Sequence, residues 1–176
     1  ALGLTFNPKY RAPFTALTPA VRHCALEDIP AAVSENTAAV FVEPVQGEGG
    51  VYPVPEELGR AITRSCREHG AILAADEVQT GLGRCGAFYA STLHGLEPDM
   101  VCLAKGLAGG MAAGAVVWRE ALGDFTPHTH GSTYGGNELA VRVGLAAMKM
   151  IKERCLCRRA RVLGDYMRGV IEEKAI

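Results

Sequence analysis

Two apolar runs, Ala38-Ala39-Val40-Phe41-Val42 and Ala71-Ile72-Leu73-Ala74-Ala75, flank a segment in which Leu58, Ile62 and Cys66 recur at every fourth position. A short continuous apolar run bounded by turn residues reads as a buried strand. The fourth-position spacing over 56–69, stopped by Gly70, reads as an amphipathic helix with a glycine C-terminus. Strand, helix and strand at this length leave room for a crossover, so the spacing predicts a βαβ unit with parallel strands. A third apolar run, 100–104, ends at Lys105, and a fourth covers 114–118. Only the loop 106–113 joins these two, shorter than the dozen or so residues that a parallel crossover needs, so this pair is expected to be antiparallel. The predicted fold is α/β: a mixed, mostly parallel sheet with flanking helices.

Around this unit the pattern is less regular. Residues 1–37 carry Pro8, Pro13, Pro19 and Pro30 and read as an irregular lead-in. A glycine-rich loop, Gln46-Gly47-Glu48-Gly49-Gly50, follows the first strand, and a second loop holds Gly81, Gly83 and Gly86. A short helix is predicted near 87–94. A longer one runs to about Lys152 with Leu139, Val143, Ala147 and Met150 on one face. Another helix begins after Cys155. Both ends fall within patterns, as expected of a cut chain.

Composition narrows the partners. With 176 residues and 48% apolar content the chain can bury a core. A formal charge of -1 without like-charge blocks leaves no electrostatic footprint for nucleic acid or a membrane surface, so small molecules and further copies of the chain are the expected partners. The six cysteines (Cys24, Cys66, Cys85, Cys102, Cys155, Cys157) form no C-x-x-C pair, and Cys66 and Cys102 fall on apolar faces. A reduced, cytoplasmic setting fits them. No apolar run reaches the length of a membrane span, and no signal peptide opens the sequence.

In such a sheet, ligands bind beyond the carboxyl ends of the parallel strands. Glu43, Asp76 and Lys105 all close strands on that edge. On those residues alone, a salt bridge capping the sheet explains an acid and a lysine as well as an active site does. Glu43 before Pro44 reads as structural, and so does Arg84 in its glycine loop. The His128-x-His130 pair has no third ligand nearby, so no metal is expected.

Four motifs change the balance: Glu43-Pro44-Val45-Gln46-Gly47-Glu48-Gly49-Gly50, Asp76-Glu77-Val78-Gln79-Thr80-Gly81, Leu103-Ala104-Lys105-Gly106-Leu107-Ala108-Gly109-Gly110 and His130-Gly131-Ser132-Thr133-Tyr134-Gly135-Gly136-Asn137. In this order and spacing they resemble the class III pyridoxal-phosphate aminotransferases over most of residues 7–152. Asn7-Pro8-Lys9-Tyr10-Arg11 and the stretch from Phe125 to Thr133 are most similar to the acetylornithine branch of that class.

The resemblance implies a fold-type I enzyme, with residues 1–152 as part of the large cofactor-binding domain and 153–176 as the start of a small domain. It implies transamination between N-acetylornithine, or a succinyldiaminopimelate-like ω-amino donor, and 2-oxoglutarate, as in arginine and lysine biosynthesis, by a cytoplasmic homodimer. Ornithine or 4-aminobutyrate transamination is the nearest alternative; Gln79-Thr80-Gly81 speaks against an aminomutase. An inactive truncated cofactor-binding fragment is a further one. Lys105 would form the Schiff base with pyridoxal phosphate, its amine kept reactive by partial burial, and would later carry the proton between carbon atoms. Asp76 would keep the pyridine nitrogen protonated so that the ring acts as an electron sink. Val78 would pack on the ring face and Gln79 would hydrogen-bond the ring hydroxyl. Ser132 and Thr133 would meet the phosphate, Thr133 from the neighbouring subunit, and Glu48 would pair with a carboxylate-binding arginine. Glu138 stands where the family commonly has proline, and Met111-Ala112-Ala113 replaces an aromatic and a proline beside the lysine. The phosphate-cradling segment, the ring-stacking aromatic and the carboxylate-binding arginine are not identified in these residues.

Overall fold

The computed structural model describes residues 4, 8–11, 21–126 and 131–174. After the single-turn helices α1 (Pro8–Arg11) and α2 (Ile29–Ala32), the chain enters β1 (Ala39–Val42). A hairpin of two-residue strands, β2 (Val45–Gln46) and β3 (Tyr52–Pro53), leads into α3 (Glu56–His69). The strands β4 (Ile72–Asp76), β5 (Met100–Leu103) and β6 (Ala115–Trp118) follow, and then α4 (Glu138–Glu153) and α5 (Leu156–Glu173).

The main sheet has the order β1-β4-β5-β6. The pairs β1–β4 and β4–β5 are parallel, whereas β5–β6 is antiparallel. The βαβ unit and the reversed fourth strand are thus as the spacing predicts. The helix stop is also observed: Gly70 sits at φ 69°, a left-handed conformation that carries no side-chain penalty in glycine.

The core lies on one sheet face. Val42 and Leu73 pack with Ile29, Val33, Val54, Ile62, Cys66, Ala71 and Leu96. Thus α3 buries its Ile62–Cys66 stripe against the sheet, and Ser65 donates to the Pro30 carbonyl (2.8 Å) to hold α2 beside it. Removing these side chains from water gives on the order of 2 kcal/mol for each large aliphatic. At Gly59 a methyl group would lie 1.8 Å from the His94 carbonyl oxygen, so glycine lets α3 meet the 94–95 turn backbone to backbone.

The glycine-rich loop after β1 is present and forms the tip of the β2–β3 hairpin, closed by Val54 donating to the Pro44 carbonyl at 3.0 Å. Two expectations need correction. The helix near 87–94 is a single 3-10 turn, Ala90–Leu93, whose first two amides donate to a buried carboxylate described below. On α4 the buried residues are Ala140 and Gly144, while Leu139 and Met150 are exposed. The helix approaches the 105–108 turn through small residues, and a methyl at Gly144 would reach within 3.3 Å of the Leu107 carbonyl. Close approach selects the small-residue stripe over the apolar one.

Candidate functional site

Because β1, β4 and β5 are parallel, Glu43, Asp76 and Lys105 all leave the sheet at its carboxyl edge. Asp76 is the last residue of β4 and pairs in register with Cys102 of β5, three positions before Lys105. The Asp76 carboxylate is oriented locally: its Oδ1 accepts from the Val78 amide at 3.0 Å. The Cys102 thiol is pushed up from its ordinary value by burial and then by the negative charge of Asp76.

Lys105 opens a 3-10 turn (Lys105–Ala108) and has φ 44°, a left-handed conformation that costs a non-glycine residue on the order of 1 kcal/mol or more. Gly109 and Gly110, at φ 57° and 112°, then fold the chain back, and Met111 donates to the Ala108 carbonyl at 2.9 Å. The loop in which Met111-Ala112-Ala113 departs from the family pattern is therefore a defined turn. The expectation that Lys105 is partly buried is not met: its side chain is exposed, although α4 packs on the turn that it opens.

Gln79 and the glycine hairpin meet. A methyl at Gly47 would lie 1.6 Å from Gln79 Oε1, so the Gln79 amide rests directly on the Gly47 backbone. Glu43 anchors the same hairpin through its Oε2, which accepts from the Gly47 amide at 3.0 Å. Its structural role is as expected. Glu48, one residue on, is exposed, and Val78 is half-buried between Asp76 and Gln79. The structure therefore gathers Asp76, Val78, Gln79 and the Glu48 hairpin at the carboxyl edge of the sheet, the edge past which Lys105 follows β5.

Ser132 and Thr133 stand apart from this group. They lie exposed in the turn that precedes α4, where Gly135 donates to the Ser132 carbonyl and the Asn137 side chain caps the helix by accepting from Ala140 at 3.1 Å. Glu138 occupies the first helical position, so its charge faces the positive end of the α4 dipole. Arg84 is exposed, and among the described residues its side chain makes no hydrogen bond or ion pair, so it is not the anchor its loop position suggests. His128 and His130 lie outside the described residues, as does Asn7 of the Asn7-Pro8-Lys9-Tyr10-Arg11 stretch. Among the described residues no group of three or more metal-ligating side chains forms.

The sequence reading missed Glu77. It is 1% exposed and accepts from Thr80 Oγ1 (2.8 Å), the Ala90 amide (2.9 Å) and the Ser91 amide (2.7 Å). A usable signal was present: side chains alternate along a strand, so adjacent acids at its end must point to opposite faces. If Asp76 faces a ligand, Glu77 turns into the protein and needs donors there.

Comparison with known proteins agrees with this geometry. The family profile described as "Aminotransferase class-III" matches residues 2–175. An acetylornithine aminotransferase of Methanopyrus kandleri is 44% identical over 98% of this chain and 46% of its own length. An ornithine aminotransferase of Staphylococcus saprophyticus is 40% identical over 98% of this chain and 45% of its own. Among solved structures, an ornithine aminotransferase of Toxoplasma gondii, with PLP at partial occupancy in its active site, superposes with TM-score 0.85 and 33% identity, covering 98% of this chain and 42% of that one. The chain thus spans less than half the length of each of these relatives.

Proposed function

The chain belongs to the class-III aminotransferases, and on that footing we propose that it carries the lysine-bearing part of a pyridoxal-phosphate site. In the whole protein this site would transfer the amino group of N-acetylornithine, or a close ω-amino relative, to 2-oxoglutarate. The observation that carries the reading is the shared edge of β4 and β5, with a carboxylate closing one strand and an exposed primary amine just past the other. The donor set fits the group: an amine for its aldehyde, a carboxylate for its ring nitrogen, and the Gln79 amide three residues past that carboxylate. When bound, pyridoxal phosphate supplies the aldehyde that takes up the amino group and a conjugated ring that accepts electrons.

The chain's own residues do the rest. Lys105 Nζ would hold the group through its aldehyde and, once freed, would carry a proton on its amine. Asp76 keeps a proton on the ring nitrogen; a contact pair of opposite charges at an effective dielectric near 20 gives about 4 kcal/mol, ample for this. Val78 would pack against the ring and Gln79 would donate to its hydroxyl oxygen. Glu48, on the hairpin that Gln79 touches, faces the substrate side. Ser132 and Thr133, which stand apart from Asp76 and Lys105 in this chain, serve the phosphate of a second copy in a homodimer, where glycine amides and hydroxyls suit an anion. Residues 153–176 begin a second domain. Six free cysteines suit a reducing, cytoplasmic setting. A second reading takes ornithine itself as donor, and the ornithine aminotransferases among the relatives favour it.

The test is a visible spectrum of the chain with pyridoxal phosphate beside that of Lys105→Ala. An absorbance band that the substitution abolishes is expected. Adding N-acetylornithine or ornithine in turn should then bleach it, faster with the true donor. Identical spectra from the two proteins would sink the assignment for this chain.

A further inference from the structure

We propose that Glu77 is a positioning residue for this site: by clamping the end of β4 to the 89–91 turn it fixes the direction of the Asp76 carboxylate. The proposal rests on the pyridoxal-phosphate reading only for what Asp76 is aimed at; the clamp itself belongs to the chain.

Residue 77 is tied on every side. Its amide donates to the Cys102 carbonyl at 3.0 Å, extending the β4–β5 ladder one step past Asp76. Its carbonyl accepts from the Gly81 amide at 3.0 Å. Its side chain takes three donors, from Thr80, Ala90 and Ser91. Every partner is a donor, so the carboxylate serves only as an acceptor. None of the described ion pairs involves it, so these dipoles alone compensate a buried carboxylate. Letting the 89–91 turn go would leave the group unsatisfied in the interior, which is strongly unfavourable. The backbone entering Val78 is therefore held, and Asp76 Oδ1 is oriented by the Val78 amide. The field of Glu77 is felt locally: after burial itself, it is what raises the Cys85 thiol and the Tyr89 phenol.

Glutamine at this position keeps the shape but places an NH2 group against an N–H or O–H donor. In the cofactor-free chain, Glu77→Gln is expected to speed amide exchange at Val78, Ala90 and Ser91 about tenfold, the effect of losing one hydrogen bond. With pyridoxal phosphate added, it should weaken binding by a similar factor. That loss should vanish in an Asp76→Ala background, because Glu77 acts through Asp76. A loss of equal size in both backgrounds, or unchanged Val78 exchange, would overturn the proposal. Should Glu77→Gln not fold, Thr80→Val removes one donor, keeps both backbone donors, and is read the same way. Faster Val78 exchange without a Lys105-dependent band would reject the cofactor reading and keep the clamp. A normal band with unchanged exchange would do the reverse.

Discussion

Between β1 and β5, Val54, Ile62 and Leu73 are each at most 1% exposed, whereas in α4 and α5 the residues Leu139, Leu145, Val162, Leu163, Tyr166 and Met167 remain 49% to 69% exposed. Both regions are apolar and periodic in sequence, so the difference lies in partners. Helix α3 has a sheet face to lie on and covers it with its widest side chains. Helix α4 touches the 105–108 turn through Ala140 and Gly144, and α5 rests on α4 and on the 83–86 loop, where Arg161 donates to the Gly86 carbonyl at 3.3 Å. The candidate site follows the same division. Asp76, Glu77 and Gln79 stand on the packed region, Lys105 sits at the seam, and Ser132 and Thr133 belong to the region with open faces. Residues aimed by a filled core can be set before any ligand arrives. Contiguous apolar surface of the α4–α5 kind is what a further protein surface buries.

The comparison breaks if a core residue of the packed region proves dispensable. Ile62→Ala should cost about 2–5 kcal/mol, because α3 and the sheet cannot both close on the cavity. A denaturant melt with an unchanged slope and a lower midpoint is the expected readout, and an unshifted midpoint would refute the packing described for α3.

A smaller effect comes from alkaline pH. Burial, and secondarily Asp99, raises the Cys66 thiol from 9.0 to about 11. The folded chain therefore keeps its proton between those values while the unfolded chain loses it. The contribution is complete below pH 9 and is lost as pH rises toward 11, on the order of 2 kcal/mol across the window. Melts from pH 8 to 11 should show this decline, and Cys66→Ala should flatten it; equal slopes in the two proteins would remove Cys66 as the cause.

The smallest effect sharpens the contrast from the other side. Leu163→Ala on exposed α5 should shift stability by no more than about 0.5 kcal/mol, even though leucine and alanine differ there as much as isoleucine and alanine do at position 62. A loss near that of Ile62→Ala would mean that α5 is covered in solution.

Much of the architecture was legible because it depends on local chemistry. Short continuous apolar runs, the fourth-position stripe ending at Gly70 and the short 106–113 connection reported a mostly parallel sheet with one reversed strand. The carboxyl-edge placement of Asp76 and Lys105 follows from that topology alone. The inward turn of Glu77 could have been read from strand alternation, but its partners could not, since Ala90 and Ser91 donate through backbone amides 13 and 14 residues away. The α4 face was misjudged for a related reason: the amphipathic pattern marks what can be buried, not which neighbour comes close.

The sequence by itself determined the element order, the parallel edge and the chemical identity of the groups that stand on it, because these depend on periodicity, connection length and side-chain type. Only the tertiary structure decided that Gln79 lies on Gly47, that Lys105 adopts a left-handed backbone and stands exposed, and that Glu77 is sealed beneath Asp76. Those outcomes depend on which distant backbone groups arrive within hydrogen-bond or van der Waals reach, and no local pattern encodes that distance.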